Sequence, residues 1–304
     1  MLDVTRLRIL LAVVESGSVT GAADLLSYSP SAVSQQLRRL EREVGQPLLQ
    51  RNARGMAPTD AGTVLAAHAR RVVRQLSAAE ADLREIAGLR RGHLEFGTFP
   101  TVGSSFVPIA VRRFRELHPS VTLTIRSERE NALVAMLEDG RIGLSLLWDY
   151  EWARLDAARF ALTPLFQDPT ALVVAADHPM ARRREVTLRE LASEAWIIRS
   201  NDHPVVEVLR RSAVAAGFEP RISFEANDYQ EAQAMVSVGL GVALAPRTAV
   251  VNKHPRVRIV SLGQSAPARR ILLAHRHDRV RAPAEMGFHE VLVETAQTYE
   301  PGDM

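Results

Sequence analysis

The chain has 304 residues, 46% of them hydrophobic and 24% charged, with a net charge of only +3. That size and balance suit two or three globular domains with well-buried cores. No apolar run approaches the roughly 20 residues of a membrane-spanning helix, and there is no cysteine, which removes disulfides, thiolate metal sites and a cysteine nucleophile.

The charge is unevenly placed. Residues 1–91 hold 13 Arg against 9 acidic residues, a net +4, whereas residues 92–304 hold 25 Lys plus Arg against 26 acids, a net −1. Within residues 27–74 the balance is 8 Arg to 3 acids. A local basic excess is the electrostatic footprint of a nucleic-acid module, although a solvated basic surface has the same composition.

In chain order, Leu7, Leu10, Leu11 and Val14 recur at helical spacing and stop at Ser16-Gly17. The apolar run 9–14 is followed by Glu15 and lacks a small-residue cleavage site, so it reads as half of an amphipathic helix and not as a signal peptide. Together with the missing cysteines this predicts a cytoplasmic protein. Ser18 is placed to cap a second helix over 19–26, with Ala22, Ala23 and Leu26 as its packing face. Ser29 caps a third, and Pro30 takes its first position, where a missing N–H costs nothing. Val33, Leu37, Leu40 and Val44 form one buried stripe. Ser31, Ser34, Gln35 and Arg38 fall on the other side. Gln suits adenine edges and Arg suits guanine edges or phosphates, so this face fits a major groove, as a helix-turn-helix requires. An ordinary solvated helix face carries the same residue types.

Arg51 and Arg54 flank a Gly-containing turn that predicts a short hairpin, or wing, able to reach the backbone or the minor groove. Thr59 then caps a helix of about thirty residues. Its Leu65, Ala69, Val72, Leu76, Ala79, Leu83 and Ile86 alternate spacings of four and three, a seam for a pairing helix. A symmetric dimer would present two recognition helices to a two-fold site. From residue 92, strand-like runs at 94–98, 121–126, 142–147, 170–175, 196–199, 222–225, 242–245 and 271–275 alternate with helical stretches at 106–118, 205–216 and 229–238. That alternation predicts α/β layers on a mainly parallel sheet.

The segment RLRILLAVVESGSVTGAADLLSYSPSAVSQQLRRLEREVGQPLLQRNARGMAPTDAG resembles the DNA-binding region of LysR-type transcriptional regulators. The Ala pair of the second helix, the SxxSAVSQQLRRLE helix, the GQPLL turn, the arginine wing and the T-x-A-G opening of the long helix fall in that family's order. His118-Pro119, the Gly140 turn, HPMA from His178, AGF at 216–218 and VGLGVALAP at 238–246 extend the resemblance over the rest of the chain. The resemblance implies an α plus α/β protein. A winged helix-turn-helix would occupy 1–58 and a linker/dimerisation helix 59–89. An effector-binding domain like a periplasmic binding protein would occupy 90–304, with lobe I about 92–163 plus 265–304 and lobe II about 164–264. It further implies a regulator that binds double-stranded promoter DNA as a homodimer or homotetramer, responds to a small-molecule effector in the interlobe cleft, and is not an enzyme. Many members carry Ser-Gln-Pro where this chain has Ser29-Pro30-Ser31, which implies a different operator half-site.

For DNA contact the candidates are Ser31, Ser34, Gln35, Arg38, Arg51 and Arg54, with Arg38 reading either bases or phosphates. For the effector they are Thr98, Thr101, Ser104 and Ser105, which precede a helix whose free N–H groups favour an anion, and Arg199, Ser200 and Asn201 across the cleft. Arg199 suits a carboxylate, hence a small organic anion. Ser104 serves equally as a plain cap, and Arg199 equally as a surface ion pair. Phe99, Arg126, Trp148 and Asn227 are available to the cleft but read first as packing or surface. No cofactor is expected. His275 and His277 lack a third metal ligand at suitable spacing, and no phosphate loop, dinucleotide turn or Gly-x-Ser-x-Gly elbow occurs.

Overall fold

Capping residues set the boundaries of the first three helices in the structure, a computed structural model that describes residues 2–52, 55–86, 92–200, 204–263, 266–277 and 281–302. Helix α1 (Val4–Ser16) starts where Asp3 accepts from the N–H groups of Thr5 and Arg6, and it stops at Gly17 in the left-handed conformation. Helix α2 (Val19–Leu26) is capped by Ser18 through the Gly21 N–H. Helix α3 (Pro30–Val44) is capped by Ser29 and ends at the left-handed Gly45. The three share a core in which Leu7, Leu10, Val13, Ala22, Ala23, Val33, Leu37 and Leu40 are buried. Each large apolar side chain so buried contributes about 1.5–3 kcal/mol.

A short antiparallel hairpin follows, β1 (Leu49–Asn52) with β2 (Gly55–Pro58). Helix α4 (Asp60–Ile86) comes next. Glu41 locks this junction by accepting from Leu48 N at 2.9 Å, while Thr59 donates to the Pro47 carbonyl at 2.8 Å and accepts from Gly62 N at 3.1 Å. Gly62 is required here, because a Cβ would run into the Leu48 carbonyl. Along α4, Ala69 is buried against the first three helices, whereas Val72, Leu76 and Leu83 are 43%, 40% and 65% exposed.

The chain forms two compact units, Met1–Leu89 with Glu138–Arg141, and Arg90–Leu137 with Ile142–Met304. The second contains, in order, β3 (His93–Thr98), α5 (Pro100–Gly103), α6 (Phe106–Leu117), β4 (Thr122–Ser127), α7 (Glu130–Glu138), β5 (Leu144–Asp149), β6 (Phe160–Ala175), β7 (Ala195–Arg199), α8 (Pro204–Ala216), β8 (Arg221–Ala226), α9 (Tyr229–Val236), β9 (Val242–Pro246), β10 (Val257–Val260), β11 (Ala268–Arg276) and α10 (Pro283–Thr298). The sheet order is β4-β3-β5-β11-β6-β9-β7-β8, with β10 also on β6. The sixteen-residue β6 joins the two halves of this sheet. Its residues 160–169 pair with β11, and its last part pairs with β9 and β10.

The expectation of a mainly parallel sheet is corrected. Among the described residues β3–β4, β3–β5, β7–β8 and β7–β9 are parallel, while β11–β5, β11–β6, β6–β9 and β10–β6 are antiparallel. Parallel pairing needs a crossover, usually helical. Helices link β3 to β4, β4 to β5, β7 to β8 and β8 to β9, whereas among the described residues only one 3₁₀ turn, Arg247–Val250, separates β9 from β10 and no helix lies between β10 and β11. Strand β10, the first part of β6, and helices α7 and α10 are elements that the sequence reading did not predict.

Candidate functional site

On α3 the predicted stripe is inward, with Val33, Leu37 and Leu40 buried and Val44 half-buried. Ser31, Gln35 and Arg38 are exposed and Ser34 is half-buried. Gln35 and Arg38 border a groove with Glu41, Arg42, Gly45, Gln46 and Pro47. Ser31 lies 3.0 Å from the Ser29 hydroxyl at the cap. Arg51 is exposed on the β1 strand of the wing, and Arg54 lies outside the described residues. The outward face of α3 therefore presents donors and acceptors that can enter a groove, beside a wing that carries positive charge.

The second site is a cavity of about 210 Å³ in the C-terminal half, lined by Phe99, Thr101, Glu130, Trp148, Arg199 and Arg269, with Pro100, Glu128, Arg129, Asn131 and Ser200 completing it. Its walls follow the carboxyl ends of the parallel strands β3, β4, β5 and β7, where open α/β sheets bind ligands. Arg199 and Ser200 come from the end of β7, and the Phe99, Glu128–Asn131 and Trp148 positions from the ends of β3, β4 and β5. Arg199 is held by Nε donating to the Asn227 carbonyl at 3.2 Å and by its guanidinium lying 5.2 Å from the Tyr229 ring centre.

Of the predicted effector residues, Thr101, Arg199 and Ser200 meet at this cavity, and Asn201 lies outside the described residues. Thr98, Ser104 and Ser105 do not line it. After β3 the chain enters α5 at once, so the two serines fall a turn later. Both donate to the Thr101 carbonyl, at 3.1 and 2.8 Å. Thr98 is buried at the end of β3. The Thr101 hydroxyl accepts from Arg269 at 2.6 Å, which fixes its position and leaves its O–H as the donor it can offer. Phe99 and Trp148 line the cavity, whereas Arg126 and Asn227 do not.

Sequence reasoning missed the centre of the site. Arg269 is 2% exposed and Asp168 is fully buried. Arg269 donates from Nε to Asp168 at 2.9 Å, and from Nη2 to Thr101 at 2.6 Å and Thr248 at 3.0 Å. Thr248 in turn donates to Asp168 from both its hydroxyl and its N–H. Burial alone would lower the Arg269 pKa, but the Asp168 charge, with Tyr150 and Tyr229, holds it above the ordinary value. The guanidinium lies 5.2 Å from the Phe99 ring centre and 5.7 Å from that of Trp148. The network thus ties Thr101 of α5 to Asp168 of β6 and to Thr248, which follows β9. Locally Arg269 is one of an arginine pair at the start of a strand that also carries His275 and Arg276, and its partner is 101 residues away.

Glu130 was also missed. Burial, and then the nearby Asp149 charge, push its carboxyl up to about 7, opposed by Arg269. Burial acts on Asp149 too. There it is outweighed by hydrogen bonds from Arg270, the Leu155 N–H and Arg154, which hold that carboxyl below its ordinary value.

A helix-turn-helix with a polar outward helix, followed in the chain by a mixed α/β half with a charged cavity, defines a DNA-binding regulator with an effector-binding domain. The chain belongs to the LysR family. Residues 4–63 match the bacterial regulatory helix-turn-helix protein of that family, and residues 87–297 match the LysR substrate binding domain. The hydrogen peroxide-inducible genes activator of Pectobacterium carotovorum subsp. carotovorum is 27% identical over 305 residues, spanning 100% of this chain and 98% of the relative. The DNA-binding transcriptional dual regulator OxyR of Escherichia coli (strain K12) is 28% identical over 277 residues, 90% of each chain. A mutant of Corynebacterium glutamicum OxyR aligns with a TM-score of 0.61 and 25% identity over 97% of this chain and 92% of that one. Full-length CbnR bound to its target DNA aligns at 0.64 and 21% identity over 97% and 100%, a likeness of fold. No helix among the described residues is long and apolar enough to cross a membrane.

Proposed function

We propose that this regulator reads a two-fold promoter site with Ser31, Ser34, Gln35, Arg38 and the wing arginines Arg51 and Arg54. Residues 1–58 are the DNA-reading part, 59–89 the pairing helix and 90–304 the effector half, with lobe I about 92–163 plus 265–304 and lobe II about 164–264. The exposed stripe of Val72, Leu76 and Leu83 supports association into a homodimer or homotetramer through α4. The effector is a small organic anion whose carboxylate faces Arg199 in the interlobe cavity. It is bound unchanged, not turned over, and acts by its difference in affinity for two arrangements of the lobes. The cytoplasm, where the promoter lies, is the site of action.

Hydrogen peroxide response, the property named in the Pectobacterium relative, is a different matter. The chain has no cysteine, so oxidation of a thiol is not open to it, and a ligand in the cavity is the better reading of how it is switched. The observation that carries the proposal is the cavity itself, with Arg199 and Ser200 on one lobe facing Phe99, Glu130 and Trp148 on the other. The test is binding of the purified chain to DNA flanking its own gene across a salt series, with Arg38→Ala alongside. Specific binding that survives competitor DNA and weakens steeply with salt is the expected result. Failure to bind either that DNA or random DNA would sink the reading. Arg38→Ala should lower the salt slope by about one if the guanidinium contacts a phosphate.

A further inference from the structure

Glu130 is the one carboxyl on the cavity wall that is pushed up in pKa by burial while no hydrogen bond or ion pair from the described residues reaches it. It opens α7 and is half-buried. The charged groups around it are Asp149 from β5, Arg269 from β11, its chain neighbours Glu128 and Arg129, and Arg199 across the cavity from β7. Asp149 repels it and is engaged by Arg154 and Arg270, and Arg269 is engaged by Asp168 and two threonines. A plain carboxylate placed on Arg199 leaves Glu130 desolvated and facing a further negative charge. A desolvated carboxylate needs a cation or a donor.

The aromatic wall does not supply a place for a ligand cation. The Phe99 and Trp148 rings are 6.4 Å apart at 70°, and Arg269 already lies over both. A cation on a ring weakens the attraction of that ring for a second one, so these rings offer apolar contact. The cavity, about 210 Å³, is smaller than the roughly 300–1,000 Å³ of pockets for drug-sized ligands.

We infer that the effector is a compact zwitterion, an α-amino acid with an apolar or aromatic side chain. Its ammonium group faces Glu130, its carboxylate faces Arg199, and its side chain lies against Phe99 and Trp148. The ammonium then gives Glu130 the counter-charge that a simple acid lacks, while the carboxylate makes the contact with Arg199 that a simple amine lacks. The inference rests on the reading of the cavity as the effector site and adds the amine. It carries a proton signature. An ammonium ligand selects ionised Glu130, so its affinity rises with pH from 6 to 8, by up to about tenfold per unit below the carboxyl's pKa. A deaminated acid selects the protonated form and does not gain over that range.

The test is calorimetric titration of the full chain with L-valine, L-leucine and L-phenylalanine, each beside its deaminated acid (3-methylbutanoate, 4-methylpentanoate, 3-phenylpropanoate) and its decarboxylated amine. At least one amino acid should bind, with both truncated counterparts tenfold or more weaker. Glu130→Gln should weaken that amino acid at least tenfold, abolish its rise with pH and leave the deaminated acid no weaker. Arg199→Met should weaken amino acid and deaminated acid alike. Circular dichroism confirms that each variant is folded. If the deaminated acid binds as tightly as the amino acid, or Glu130→Gln changes nothing, the zwitterion is wrong, while loss on Arg199→Met keeps the anion reading of the cavity. If binding ignores both substitutions, or none of these compounds binds, the zwitterion inference is overturned. A wider set of organic acids on Arg199→Met then decides the cavity reading separately.

Discussion

Replacing Arg269 by Met removes the charge at the centre of the buried network while keeping an unbranched side chain. Three hydrogen bonds are lost with it, to Asp168, Thr101 and Thr248. Asp168 keeps its two bonds from Thr248 but becomes a buried carboxylate without a counter-charge. Breaking a buried pair from one side costs about 3–5 kcal/mol, a large part of a domain's roughly 5–15 kcal/mol. Asp168→Asn should be destabilising for the converse reason, since it strands the guanidinium. The double variant strands neither charge, so it should be more stable than the sum of the two single losses by about 2 kcal/mol or more. Urea unfolding followed by tryptophan fluorescence isolates the relevant half, because all three tryptophans, Trp148, Trp152 and Trp196, lie within it. A loss below about 1 kcal/mol in Arg269→Met, or strict additivity in the double variant, would refute the account of the network as a desolvated ion pair.

Three other outcomes follow from the same structure. Gln35→Ala should weaken operator binding by about 1–3 kcal/mol and leave random DNA unaffected, and an equal loss on both by gel shift would remove Gln35 from base readout. Glu130→Gln should raise thermal stability at pH 8 and not at pH 4.5. The wild-type carboxyl, raised from 4.5 to about 7, is neutral and unpenalised below 4.5, and its penalty grows as pH rises to 7. The upper limit is about 3 kcal/mol at 1.36 kcal/mol per unit, or about 1–2 kcal/mol once partial exposure is allowed for, and a pH-independent difference in melting temperature would contradict it. Leu76→Glu places a charge in the exposed stripe of α4, so the mass by analytical ultracentrifugation should fall at micromolar concentration. An unchanged mass would place the association elsewhere.

The helical part of this protein was legible because its signals are local. Ser18 and Ser29 cap the helices for which they were read, Pro30 takes the first helical position, and Gly17 and Gly45 end α1 and α3. Each of these acts on backbone groups within four residues, so the chain declares them wherever it goes. The stripe Val33, Leu37 and Leu40 is legible for the same reason, since burial of one face needs only a 3.6-residue period. Strand positions in the C-terminal half were also readable as apolar runs, but such a run carries no direction. The pairing of β11 antiparallel to both β5 and β6, and the place of β6 between β11 and β9, depend on how distant segments return.

The cavity shows the division more sharply. Arg199 could be proposed from a strand end, and Ser104 and Ser105 from a helix start, yet only the inserted turn of α5 sends the serines to the Thr101 carbonyl and away from the ligand space. Arg269 and Asp168, or Glu130 and Asp149, look like ordinary charged residues in sequence. Desolvation and the proximity of a partner give them their character, and both quantities exist only once β5, β6, β11 and α7 are packed together. By itself the sequence determined α3, its caps and its buried face, because capping and periodicity are short-range. The tertiary structure decided the chemistry of the cleft, because burial and charge pairing are properties of residues far apart in the chain.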